Sequence, residues 1–152
     1  MKYVSFFVLY ICLLAVSCKT NDVLSPEQHN GNRLILKHGG GFTGAYTTYH
    51  VLDNGQLFKA SNELEGTYAM NKLDRDIVGQ IFSNYEILGM RDKIMESYNN
   101  LSYSLSMIDE KGEEHKLIWG KGQKGSESAQ LFYDNVMNQI KATNKVEKET
   151  TR

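Results

Sequence analysis

The sequence predicts an α+β fold in which a mainly antiparallel sheet of about five strands carries two helices on one face, in the order β-β-β-α-β-β-α. Three observations predict it. Four of the six residues 39–44 are glycine and Asn54-Gly55 follows, so the chain from Arg33 to Ala60 reverses twice and reads as three successive strands. Leu101, Tyr103, Leu105 and Met107 alternate with Ser102, Ser104 and Ser106, the period of a strand with one buried and one wetter face. Ile77, Val78, Ile81, Phe82 and Tyr85, and later Ala129, Phe132, Val136, Met137 and Ile140, recur at helical spacing.

Taken in order, residues 33–38 put Leu34 and Leu36 on one face of a first strand with Ile35 on the other. The glycine loop Gly39, Gly40, Gly41, Phe42, Thr43 and Gly44 then turns the chain back, because glycine tolerates positive φ and close backbone approach. Residues 45–52 are apolar on both faces through Tyr46, Tyr49, Val51 and Leu52, as suits an interior strand. Asn54-Gly55 makes most simply a type I′ turn into a short third strand, 56–60, centred on Phe58. Residues 61–71, with Glu63, Glu65 and Gly66, read as a loop with a few extended positions at 67–70 and no assigned element. Asp74 is the N-cap of a helix reaching about Asn84. After a loop over 89–100 comes the alternating strand, which Asp109-Glu110-Lys111-Gly112 reverses into a strand over 113–119. Residues 120–126 lead into the last helix.

Composition bounds the function. The chain has 152 residues, a single proline and 17 basic against 18 acidic side chains, enough for one globular domain and without the clustered positive charge that nucleic acid requires. Residues 1–17 form a signal peptide: Lys2 is the basic start, and 4–16 are an apolar run shorter than the ~20 residues of a membrane span. Leu14-Ala15-Val16-Ser17-Cys18 resembles a bacterial lipoprotein signal with Cys18 as lipid-attachment site, although leucine lies one place earlier than that motif favours. Ala15-Val16-Ser17 also fits an ordinary secretory cut at the same bond. Cleavage would leave Cys18 as the only cysteine of the mature chain, and lipidation would remove the lone exposed thiol. Residues 18–32 are then the lipidated cysteine and a flexible tether, 33–141 a single domain, and 142–152 a disordered tail. Lys19 offers no retention signal, which leaves the outer membrane as the expected address.

The candidate chemistry is sparse. Gly120-Lys121-Gly122-Gln123-Lys124-Gly125 matches a dinucleotide fingerprint, but that fingerprint needs a parallel βαβ unit, and the helix after it is the last element. The histidines, His29, His38, His50 and His115, lack metal-site spacing, so no metal or cofactor is expected. Glu113-Glu114-His115 and the pair Glu63 and Glu65 read as solvated strand and loop positions without a nucleophile to serve. Ser102, Ser104 and Ser106 read as the outer face of a strand, with no nucleophile elbow around them. Tyr46, Tyr49, Tyr98, Tyr103 and Trp119 are expected to finish the core, the alternative being a surface for a partner or glycan.

Gly40-Gly41-Phe42-Thr43-Gly44, Leu73-Asp74, Tyr103-Ser104-Leu105 and the turn and strand start from Asp109 to His115 together resemble the emfourin family of small inhibitors of thermolysin-like metalloproteases, over roughly residues 33–140. The resemblance implies a small α+β scaffold and, as partner, a thermolysin-like metalloprotease met through loops. The sequence therefore reads as a lipid-anchored envelope protein acting as a non-enzymatic binding module, with residues 39–44 as partner-binding candidates and no catalytic residues. The alternative is a structural or assembly component of the envelope without inhibitory activity. An enzyme ranks last because no activated nucleophile is visible.

Overall fold

The computed structural model describes residues 22–150, side chains of 64, 65 and 145–150 excepted. Its elements are β1 (Arg33–Gly40), β2 (Ala45–Leu52), β3 (Leu57–Ser61), β4 (Leu64–Met70), α1 (Arg75–Ile87), β5 (Leu101–Ile108), β6 (Glu114–Gly120) and α2 (Glu127–Thr150), preceded by a 3₁₀ turn at Pro26–Gln28. The strands form one antiparallel sheet of six, in the order β4-β3-β2-β1-β5-β6, so the fold is α+β with one strand more than expected. The extra strand is β4. It is an edge strand with Thr67, Tyr68 and Ala69 all exposed and Met70 at its end against the core, too short a buried run to leave an apolar alternation to read.

Leu34 and Leu36 of β1 lie at the centre of the covered face, both fully buried. Register places Val51 and Tyr49 of β2 beside them on one side and Met107 and Leu105 of β5 on the other, with Leu117 and Trp119 of β6 beyond. The helices close this face. Val78, Ile81 and Tyr85 of α1 and Ala129, Phe132, Tyr133, Val136, Met137 and Ile140 of α2 join the strand residues in one apolar core. Asp74 caps α1, its carboxylate accepting from the Asp76 N–H at 2.8 Å. At the other end Gly89, in the left-handed region, lets the Gly89 and Met90 N–H groups reach the carbonyls of Glu86 and Tyr85, a Schellman closure that delivers Met90 into the core.

Three expectations change. The Asp53-Asn54-Gly55 connection is not type I′, which needs positive φ at two successive residues: only Gly55 has it, at 90°. The Gly55 N–H reaches the Leu52 carbonyl and the Leu52 N–H the Gln56 carbonyl, a three-residue loop ending in a left-handed glycine. The β5–β6 connection repeats it, with Gly112 in the glycine position and Asp109 paired to Glu113. Secondly, α2 continues past residue 141. Thr143 Oγ1 and Asn144 Nδ2 donate to the carbonyls of Gln139 and Ile140, and the following sequence holds neither glycine nor proline to stop a helix.

Thirdly, the described part of the expected tether is docked. Val23 exchanges hydrogen bonds with the Gln56 side chain at 2.9 and 3.1 Å, and Pro26 is buried with its carbonyl accepting from Arg33 Nη1 at 2.5 Å. His29 pairs with Asp53 at 2.7 Å, and Lys72 pairs with Asp22. Polar composition concealed this because the segment is held by hydrogen bonds rather than by an apolar stripe.

Candidate functional site

Two features meet at the Gly40 end of β1: the expected glycine loop, and a trough on the face of the sheet that the helices leave uncovered.

The loop is braced at its base. Gly39, opposite Tyr46, has a φ of 152°, and a Cβ there would collide with the Ala45 carbonyl and the Tyr46 backbone, so only glycine lets β1 and β2 approach as they do. Asn62, from the β3–β4 turn, donates to the Gly44 carbonyl at 3.0 Å and accepts from the Tyr46 N–H at 2.7 Å. On the other side the Gly41 N–H donates to the Asn100 carbonyl. Between these braces Phe42 stands fully exposed, with Thr43 exposed beside it. Tyr98, 69 % exposed, and Leu101, 37 %, are further apolar groups on the segment that enters β5, where Leu101 pairs with Gly40.

The trough follows from side-chain size. On the uncovered face β5 offers only Ser102, Ser104 and Ser106, while Gly39 of β1 and Gly120 of β6 flank Ser102. An interior strand with small side chains is a floor, and its larger neighbours are walls: Lys37 of β1 beside Ser104, Lys116 of β6 beside Ser106, and Ile118 between Lys116 and Gly120. Tyr46 and Tyr98 rise at the end nearest the loop, and Asn99 lies so close over Gly120 that a Cβ there would meet its amide. The enclosed volume is about 210 Å³. A wider depression of about 480 Å³ continues past Tyr98 and Asn99 to Leu101 and Lys121. Lys37 Nζ sits 4.4 Å from the centre of the Tyr46 ring, a cation–π contact. Every charged group lining the trough is a lysine.

The covered face holds polar groups that are committed to one another. Nδ1 of His38 lies 2.7 Å from the Tyr133 hydroxyl; Tyr85 makes the same contact with His115 at 2.8 Å, and His115 Nε2 lies 3.0 Å from the Lys93 carbonyl. Trp119 donates to Gln130 at 2.7 Å. Burial raises the Tyr85 hydroxyl to a pKa of about 12 and pushes Tyr133 up as well, with Tyr103 and Tyr49 adding to it, so both stay protonated; because His115 Nε2 must donate to the Lys93 carbonyl, its Nδ1 accepts from Tyr85. Burial lowers His38, with Lys141 and Lys59 acting in the same direction. These pairs tie α1 and α2 to the sheet.

No protein-family model and no curated protein matches the sequence. Among the described residues no three His, Cys, Asp or Glu side chains come together as a metal site, and no helix is long and apolar enough to cross a membrane.

Cys18 and the signal segment lie outside the described residues. Gly39, Gly40, Gly41, Phe42, Thr43 and Gly44 do lie together, the first two as the end of β1 and the others as the loop. The five aromatics expected to finish the core divide. Trp119 is buried and Tyr49 and Tyr103 pack against the core, whereas Tyr46 and Tyr98 open on the other face. Single residues gave no sign of the trough, since Lys37 and Lys116 converge only through register and Tyr98 reaches it from the loop before β5. The serine alternation in β5 was its one visible signal. Residues 120–125 connect β6 to α2; β6 pairs antiparallel with β5, and its outer edge carries an isolated parallel bridge between Glu96 and Ile118 rather than the parallel strand of a βαβ unit that a dinucleotide site needs.

Proposed function

We propose that this chain is an exported, lipid-anchored envelope protein whose α+β domain is a non-enzymatic binding module engaging a protein partner through the glycine-loop end of its sheet. The observation that carries the reading is Phe42, a large apolar side chain left wholly in water at the tip of a loop braced on both sides. An exposed aromatic on a braced backbone, beside further exposed apolar groups, is the usual anatomy of an interface anchor, because binding then has to order the side chain but not the loop. The emfourin resemblance gives the partner class, a thermolysin-like metalloprotease whose cleft the loop would fill.

The test has two arms. In cell fractionation, wild-type protein should sediment with membranes and Cys18→Ser should be soluble; an unmodified Cys18 amino terminus by mass spectrometry on wild-type protein would end the anchor reading. In a titration against a thermolysin-like protease, residues 19–152 should reduce activity while staying uncut, and Phe42→Ala should weaken inhibition at least tenfold, a loss of about 1.4 kcal/mol or more. Full protease activity at micromolar protein, or rapid digestion of the domain, would remove the inhibitor reading. Capture of an envelope protein by wild type and not by Phe42→Ala would then carry the module reading alone.

A further inference from the structure

The trough has the makings of a small-ligand site independent of the loop tip. Lys37 and Lys116 form no ion pair among the described residues, so neither charge is neutralised locally. By register they stand two strands and two residues apart, roughly 12 Å between Cα atoms, close enough for both flexible arms to reach one anion above the serine floor. The Ser104 hydroxyl and the Asn99 amide make no side-chain hydrogen bond among the described residues, whereas Ser102 is committed to the Asn99 backbone. Tyr46 and Tyr98 add flat apolar faces.

We propose that this trough binds an acidic sugar, a single pyranose ring bearing a carboxylate or a phosphate. Aromatic faces suit the C–H surface of a ring, a free hydroxyl and a free amide suit its hydroxyl groups, and two lysines without an ion pair, in a lining that holds no carboxylate although Glu96 and Glu114 stand next to Ile118 and Lys116, favour negative charge. At about 210 Å³ the space falls below the ~300 Å³ where drug-sized pockets begin, which fits one ring. A longer acidic chain would continue over the adjoining depression toward Lys121.

The test is a calorimetric titration of the full chain in mild detergent with methyl glucuronide, glucose 6-phosphate, methyl glucoside, inorganic phosphate and a diglutamate peptide. At least one acidic sugar should bind with Kd on the order of 0.1–1 mM, and which one binds identifies the anion. Methyl glucoside, phosphate and diglutamate should each bind at least about tenfold more weakly, and added salt should weaken the acidic sugar. Lys37→Gln, Lys116→Gln and Tyr98→Ala, all at exposed positions, should each cost about fivefold or more in affinity with an unchanged melting temperature. Phe42→Ala should leave sugar affinity unchanged, which separates this site from the loop-tip reading. No acidic-sugar binding at about 10 mM would overturn the proposal. So would phosphate or diglutamate binding as tightly as the sugars, or both lysine variants binding like wild type.

Discussion

Gly39 and Gly44 belong to one hairpin end, yet replacing them with alanine should give very different losses. At Gly44 φ is 63° and a Cβ would meet nothing within 4 Å, so Gly44→Ala bears only the left-handed conformational cost, about 1–2 kcal/mol. At Gly39 φ is 152° and the Cβ would lie 2.7 Å from the Tyr46 Cα as well as against the Ala45 carbonyl. Both obstacles are backbone of β2, which cannot retreat without breaking its ladder to β1. Strain and overpacking then add, to about 3–5 kcal/mol. With a urea slope near 2 kcal/mol/M, the midpoint should fall by about 0.5–1 M for Gly44→Ala and about 1.5–2.5 M for Gly39→Ala. Urea titration followed by the fluorescence of the buried, sole tryptophan, Trp119, and by far-ultraviolet circular dichroism reads both shifts. Midpoints within about 0.3 M of each other at equal slope would refute the reasoning, because they would show that β1 and β2 do not approach closely at Gly39.

Tyr85→Phe should destabilise by about 1–3 kcal/mol, since it leaves the half-buried Nδ1 of His115 without its donor while removing little packing; a melting temperature equal to wild type would show that water replaces the hydroxyl. Stability should also fall on mild acidification. His38 and His50 are both held below the ordinary histidine pKa of 6.5, His50 by burial and by Arg33 against the opposing pull of Glu27. A group whose folded pKa is depressed binds protons more readily in the unfolded chain, so its stabilisation is complete above 6.5 and is lost as pH falls from there through the folded value. The double variant His38→Gln and His50→Gln should therefore have a flatter melting-temperature profile between about pH 7 and 5, and an unchanged slope would place the proton uptake elsewhere.

How much of the fold was legible follows from how much each element buries. β5 was read within a residue of its end because its alternation reports a real asymmetry, Leu105 and Met107 against the core and serines away from it. The helix faces were legible for the same reason: Val78, Ile81 and Tyr85, and Ala129, Phe132, Val136, Met137 and Ile140, are all buried. Tyr133 was not picked out, although it is buried with its hydroxyl paired to His38. The docked segment before β1 and the edge strand β4 were missed because polar contacts and backbone pairing hold them, and neither leaves a periodic trace.

The candidate site shows the same limit from the other side. The glycine loop announced itself because backbone constraint selects a residue type, and glycine at Gly39 is what the Ala45 carbonyl demands. The trough did not, since no backbone constraint selects lysine at Lys37 or Lys116. What makes it a trough is an absence: β5, an interior strand, has no large side chain on its uncovered face, and neither helix lies there to need one. The glycine-loop half of this face, which neither helix covers, keeps small residues along β5 and aromatic and cationic ones on its borders, whereas its other half buries Leu52, Phe58 and Ser106. Solvation alone would be served as well by charged residues on β5. The concave arrangement gives the uncovered face a shape that can hold a ring and a charge that can hold an anion, which is why the sugar proposal rests on the serine row and the two unpaired lysines together.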